Sequence, residues 1–278
     1  MHTNTSIVEY RKLSWPEHKR YAKERRVVLI PIGTLEDHGP HLPVDVDIVI
    51  PKTILTKVAE QLPDKTVLFP EVVHGYSPHH MDFPGSTTVQ YDQFIEYLLS
   101  ITDALAYHGY QRMYFLNGHG SNQALCTIAQ QETNRRHLDV ICMNSFYLDS
   151  SASLELIRKV RESYFPGGMG HACELETSLM LAIDPEHVHM EKLTHAEMCY
   201  PKNVAADLFM DWADGSLKYM PWWSEVSKSG VQGDPTVASA EKGRIFLEQA
   251  VDEAVKRVEC ILRTQRGHRE DMHYSERI

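Results

Sequence analysis

The sequence predicts an α/β fold, a three-layer α/β/α arrangement around a mainly parallel sheet. Two observations predict it. Short apolar runs rich in β-branched residues alternate with segments of helical period through most of the chain, and these runs end in polar, glycine-bearing clusters. In order, "RVVLIPIG" (26–33) is a buried strand ending at Gly33. "VDIVIPKTILTKVAEQL" is a loop entering a helix, with Pro51 near the first turn. "TVLFPEVVHG" is a second strand. "TVQYDQFIEYLLSITDALAYHG" places Phe94, Tyr97, Leu98, Ile101 and Leu105 at helical spacing and stops at Gly109, so Tyr97, Leu98 and Ile101 read as core and His108 as a helix-end cap. "RMYFLNGHG" is a third strand with a helix starting near Asn122, and "DVICMNSFY" is a fourth strand. "ELETSLMLAI" is a helix ending before Pro185, and a last long helix runs over about 238–263. "YRKLSWPEHKRYAKERR" reads as a solvated helix face.

A chain of 278 residues can bury a sizeable core. No internal repeat divides it, and residues 1–265 read as a single domain. Within that domain 200–235 break the rhythm with Trp212, Trp222, Trp223, prolines and glycines and read as an irregular, lid-like insertion; 266–278 read as a charged tail of disordered composition. The formal net charge of −10 argues against nucleic acid or an anionic membrane as partner, because both demand a basic face. Five cysteines without a C-x-x-C pair argue against a disulfide framework and for a reducing compartment. With no apolar signal core and no run of 18 apolar residues, the expectation is a cytoplasmic protein without a membrane span. The 16 histidines raise the expectation of a metal site.

Ligands gather at the carboxyl ends of the strands of a parallel sheet. There the chain carries "GTLEDHGPHLPVDVD", "HGYSPHHMDFPGST" and "NGHGSN", with a fourth cluster, "GGMGHACELET", before a helix. Glu36 and His38 are two apart, so an extended segment points them to one side. Asp47 lies nine residues on, with Pro40 and Pro43 shaping a loop that folds back. Two carboxylates and an imidazole suit zinc, manganese or iron(II), and a carboxylate can bridge two ions. His119, between Gly118 and Gly120, is the next candidate ligand. Asp37 and Asp45 read as solvated bystanders, and His41 as a ligand, a substrate contact or a prop. Nucleophilic catalysis fits poorly: there is no G-x-S-x-G elbow, no phosphate-loop lysine and no G-x-G-x-x-G after the first strand. Cys173, two residues after His171, stands at a helix entrance, where it can simply be packed.

"IPIGTLEDHGPHLPVDVDIVIP", "HMDFPGSTT", "NGHGSNQ", "HACELETSLMLAIDPEHV" and "GVQGDPTVASAEKG" together resemble the creatininase (creatinine amidohydrolase) family, in the family's order. The resemblance implies a creatininase-like α/β/α fold, a homo-oligomer that is often a hexamer, and a hydrolase using one or two divalent ions (zinc, manganese or iron). By motif position it implies Glu36, His38, Asp47 and His119 as ligands, with Asp47 shared, and Glu176 completing the set; Glu174 is the local rival. The chain departs from creatininase proper in three places. Ser121 stands where a glutamate ligand is expected, Gly170 stands for the glutamate before His171, and Tyr147, Tyr164 and Phe165 occupy the region of the creatinine-clasping tryptophans.

The expectation is therefore hydrolysis of a C–N bond in a small cyclic amide or formamide-like substrate by hydroxide formed on the metal. His171 is the first choice for proton transfer and His80 a second catalytic group, with His41, Ser121, Trp222 and Trp223 as substrate contacts. One rival is ring-opening C–C hydrolysis of a cyclic polyol ketone (an inosose). The lesser rival is a non-catalytic metal-binding protein, disfavoured because structural sites are closed sets of cysteine and histidine.

Overall fold

Every residue of β1 (Val27–Ile32) is buried, as expected for a strand covered on both faces. The structure, a computed structural model, describes residues 7–193, 211 and 220–266. Strand β1 pairs in parallel with β2 (Thr66–Leu68) on one side and with β3 (Arg112–Asn117) on the other; β4 (Ile141–Phe146) pairs in parallel with β3. The sheet order is β2-β1-β3-β4. Alternate side chains feed two cores. Val27, Leu29, Tyr114 and Leu116 pack against α2 (Val46–Gln61), α6 (Glu174–Ile183) and α8 (Ala240–Arg263). Val28, Ile30, Ile32, Met113 and Phe115 pack against α1 (Trp15–Lys23), α3 (Tyr91–Tyr107) and α4 (Asn122–Arg136). The chain moves from β1 outward to β2 and then returns across β1 to β3. This reversal opens the crevice at the carboxyl ends of β1 and β3.

The predicted strands and principal helices are present, with three differences. Helix α2 begins at Val46, so Asp47 sits in its first turn rather than in the preceding loop, and Pro51 lies inside the helix. Tyr97, read as core, is 49% exposed: its neighbours Phe94 and Leu98 fill the buried stripe of α3. Two elements had no strong sequence signal: α5 (Ser151–Val160) and a small antiparallel pair, β5 (Met169–His171) with β6 (Gln232–Gly233). Helix α7 (Trp223–Val226) and β6 belong to the segment read as a lid; most of the rest of that segment, with Trp212, and the tail from 267 lie outside the described residues.

Candidate metal centre

Two glycines let the centre form. Gly33 follows β1 and Gly118 follows β3, side by side, because Ile32 pairs with Asn117. A Cβ on Gly33 would lie 2.5 Å from the Asp47 carbonyl oxygen, and one on Gly118 would lie 2.1 Å from it. The first turn of α2 therefore presses on both strand ends, carrying the Asp47 carboxylate between them. Asn122, at the start of α4, fixes the neighbouring loops: its amide donates to the Gly33 carbonyl (3.1 Å) and its oxygen accepts from the Tyr76 N–H (2.8 Å). The Asn117 amide donates to the His119 carbonyl at 2.6 Å, holding the turn that presents His119.

The buried side chains of Glu36, His38, Asp47, His119 and Glu176 converge here. Asp47 is central. Its Oδ1 is 3.4 Å from His38 Nε2 and its Oδ2 is 3.1 Å from His119 Nδ1. Glu36 Oε2 is 3.2 Å from His119 Nδ1, and Glu176 Oε1 is 3.9 Å from His38 Nε2. The outer ring nitrogens face backbone carbonyls: His119 Nε2 donates to Tyr76 (3.1 Å) and His38 Nδ1 lies 3.3 Å from the Glu36 carbonyl oxygen. Once the rings give up their inner protons to a metal, those bonds select the tautomers that leave the inner lone pairs for the ion, the usual outer support of metal-binding histidines. Among the described residues, His38 Nε2 and Asp47 Oδ2 are buried without a hydrogen-bond partner. Buried polar atoms are rarely left so, and one on the His38 side and one on the His119 side of Asp47 fit cations held there.

Electrostatics agree. Burial disfavours the imidazolium of His38, yet Asp47 and Glu176 outweigh it and raise the ring to about 10; burial likewise opposes charge on His119, and Glu36 and Asp47 raise it to about 10. In the metal-free chain these rings carry the positive charge that a metal would supply. Burial lifts Glu176 to about 7, with Asp47 and Glu36 adding repulsion. Burial also pushes Glu36 up, but the imidazoles of His119 and His80 prevail and hold it well below the ordinary range.

The creatininase (creatinine amidohydrolase) family pattern matches residues 11–258. The chain belongs to the creatininase family. It is similar to the 3-dehydro-scyllo-inosose hydrolase of Thermotoga maritima, 29% identical over 92% of this chain and 84% of that one. It is also similar to the mycofactocin precursor peptide peptidase of Mycolicibacterium smegmatis, 31% identical over 80% of each. Creatinine amidohydrolase shares its fold: TM-score 0.77, 24% identity, covering 94% of this chain and 100% of that one. Solved creatininases of the same fold include a Zn-Zn type and a manganese form. The chain is thus a metal-dependent hydrolase of this family.

The other residues singled out in the sequence fall in distinct places. His80 and His171 join the centre: His80 Nε2 is 3.8 Å and His171 Nδ1 3.7 Å from Glu36 Oε1. His41 is buried, with Nε2 2.8 Å from the Thr177 hydroxyl, tying the loop after β1 to the helix that carries Glu176. Ser121 is half-buried at the start of α4, next to Gly120, around whose Cα there is open space. Trp222 is 49% exposed, whereas Trp223 is buried and stacks on His80 at 4.6 Å. Glu174 points away from the centre: it accepts from the Glu162 and Ser163 N–H groups and from Lys242 Nζ (2.5 Å).

Sequence reasoning misread Asp37 and Asp45 and missed His79. Asp37, read as solvated, is buried: its Oδ1 accepts from His80 Nδ1 at 2.6 Å, and its carbonyl accepts from His171 Nε2 at 2.7 Å. Asp45, also read as solvated, is half-buried at the N-terminus of α2. His79 is buried, stacks on His119 at 5.9 Å, and offers a ring nitrogen within 4.8 Å of ligand atoms of Glu36 and His119. Burial, with His80 and His119 adding to it, drives His79 down to about 3, so it stays neutral. The doubled histidine of "SPHHMDFPGST" was the available signal.

Proposed function

We propose that this chain hydrolyses a C–N bond in a small amide, cyclic or formamide-like, at a centre holding two divalent ions of zinc or manganese. The orphaned inner atoms of His38 and Asp47 carry this reading. Glu36, Asp47 and His119 would hold one ion and His38, Asp47 and Glu176 the other, with Asp47 offering one oxygen to each side. Such ions lower the pKa of water towards ~7 and polarise a carbonyl oxygen. The amide bond as target is supported by an amidohydrolase and a peptidase among the similar proteins.

The chain's residues then have separable tasks. His171 is held neutral, since burial and the neighbouring His38 and His80 keep it well below its ordinary value. Its Nε2–H is committed to the Asp37 carbonyl, so Nδ1 is the atom that accepts a proton and later hands it to the leaving nitrogen. His80 presents Nε2 on the same side, where its lone pair accepts a hydrogen bond from the attacking water or the substrate. His41 ties the loop after β1 to Thr177, next to Glu176, while Ser121 is half-buried beside Gly120 and Trp222 is 49% exposed beside Trp223.

One observation favours a second reading. The inosose hydrolase matches 92% of this chain, and the residues that mark creatininase proper are replaced by Ser121 and Gly170. On that reading the same centre opens a cyclic polyol ketone by C–C cleavage. We read the protein further as a cytoplasmic homo-oligomer, hexameric as often in this family. Cys126, Cys142, Cys173 and Cys260 are free thiols, and no helix among the described residues is long and apolar enough to cross a membrane. The test is a screen of the metal-reconstituted chain against cyclic amides, lactams, formamides and inososes, read as a mass gain of one water. Nitrogen release supports C–N cleavage; an acyclic acid without it supports the second reading; no turnover of any class overturns both.

A further inference from the structure

His80 is held on two sides by residues that belong to neither half of the metal-ligand set. Its Nδ1 lies 2.6 Å from Asp37 Oδ1, with both side chains buried. A carboxylate only accepts, so Nδ1 carries the proton and Nε2 is left with its lone pair, 3.8 Å from Glu36 Oε1. The indole of Trp223 lies over the ring, with centroids 4.6 Å apart and planes inclined by 27°. The same indole meets His171 edge-on at 5.0 Å and donates Nε1–H to the Gly230 carbonyl at 2.8 Å. Gly230 closes the arrangement. At φ +90° it has the backbone of a glycine, and a Cβ there would lie 2.1 Å from Asp37 Oδ2. The 223–231 segment therefore packs directly on the Asp37–His80 pair. Among the described residues Asp37 Oδ2 is buried with no hydrogen-bond partner, and His80 is the one side chain bonded to this carboxylate.

A buried carboxylate with half its bonding capacity unused is a poor stabilising element. It makes sense as a device that fixes one imidazole. We propose that Asp37 and Trp223 are positioning residues. Asp37 holds His80 in the Nδ1–H tautomer, and Trp223 holds its ring plane, so that Nε2 is directed at the Glu36 side of the metal centre. The backbone carbonyl of Asp37 does the same for His171, whose Nε2–H it accepts, leaving Nδ1 directed inward. One residue, between Glu36 and His38 in sequence, thus sets the imidazoles of both His80 and His171. This proposal rests on the hydrolase reading for its consequence in turnover, but not for its geometry.

The test uses the full chain with histidine labelled in 15N, metal-free and zinc-loaded, and reads ring tautomers from two-bond 1H–15N correlations, with His80→Asn assigning the His80 signals. The expected wild-type result is a protonated Nδ1, shifted far downfield, and an unprotonated Nε2 in both states. Asp37→Ala is expected to abolish that signature with zinc content unchanged, and to lower kcat roughly 100-fold or more with little change in KM, the scale of a lost proton-handling group. Asp37→Asn gives a second variant of nearly the same shape, expected to lose the downfield proton as well. Trp223→Phe is expected to retain the tautomer and to lower kcat less than Trp223→Ala, which also broadens the His80 signals. An Nε2–H tautomer in the wild type, or an unaltered His80 signature in Asp37→Ala, overturns the proposal. Zinc loss in both Asp37 variants also overturns it, because the role would then be structural. A wild type that turns over none of the substrates refutes the hydrolase reading and leaves the tautomer result standing.

Discussion

Replacing Gly118 by alanine tests whether the close approach of α2 to the strand ends builds the metal centre. The new Cβ would lie 2.1 Å from the Asp47 carbonyl oxygen, 2.9 Å from Pro51 Cγ and 3.0 Å from the Asp47 carbonyl carbon. Cβ atoms essentially never sit closer than 3.0 Å to such atoms, so the first turn of α2 must retreat by about 0.9 Å, the difference between 3.0 and 2.1 Å. The obstacle is backbone, which cannot swing aside as a flexible side chain can. A displacement near 1 Å at a catalytic group is enough for about a 100-fold loss of rate. Overpacking of this kind also destabilises by roughly 1–3 kcal/mol. At about 2–4 °C per kcal/mol for a chain of this class, the melting temperature should fall by roughly 2–12 °C. Gly120→Ala is the matched control, because a Cβ there meets nothing within 4 Å. Thermal unfolding, zinc affinity by chelator competition, and kcat are measured on both variants. We expect Gly118→Ala to lose all three and Gly120→Ala to keep its stability and zinc affinity. Wild-type zinc affinity in Gly118→Ala, or equal losses in the two variants, would refute the reasoning.

Four further outcomes follow from the electrostatics and the neighbouring ion pairs. Zinc uptake by the metal-free chain should release protons at neutral pH, measured with a pH indicator in weak buffer, because His38 and His119, raised to about 10, must give up protons to bind it. The raised folded values also fix a sign. The contribution of these two rings to metal-free stability is full below their unfolded value near ~6.5 and is lost as pH rises towards about 10, whereas the stabilisation by added zinc should grow over that window in thermal melts. Glu174→Gln and Glu176→Gln should separate: the first should lower stability and keep zinc, while the second should lose zinc, read by metal analysis and melting temperature together. Burial raises the Glu174 carboxyl, but Lys242 and the Ser163 contacts hold it below the ordinary range, so its contribution is present above the unfolded value near ~4.3 and fades as pH falls through the folded one. Lys242→Met leaves that buried carboxylate without its cation and should cost about 3–5 kcal/mol in urea unfolding, with zinc content unchanged.

Strand and helix patterning was legible wherever one element buries a continuous face. Helix α6 ends before Pro185, and β1 ends at the glycine that the α2 turn presses on; both were readable from local chemistry. The small β5–β6 pair was not, because it joins residues more than sixty positions apart through two short, glycine-bearing strands without alternation. Asp37 was misread for a related reason. In sequence it is one more acidic residue in a polar loop, and its burial depends on His80 and on Gly230, far along the chain. Tyr97 was misread in the other direction, since helical spacing alone does not separate the centre of a buried stripe from its edge. Glu174 and Glu176 lie two apart on one helix, and only the path of α6 past Lys242 sends the first to an ion pair and the second towards His38.

The most direct test of the central claim is a calorimetric titration of the metal-free chain with zinc near neutral pH, on the wild type and on Asp47→Ala. If Asp47 is the carboxylate shared between two ions, the wild type takes up two equivalents, and the variant, with its fold intact by circular dichroism, loses tight binding of both together with turnover. Zinc uptake and turnover that survive the loss of Asp47 would contradict the account.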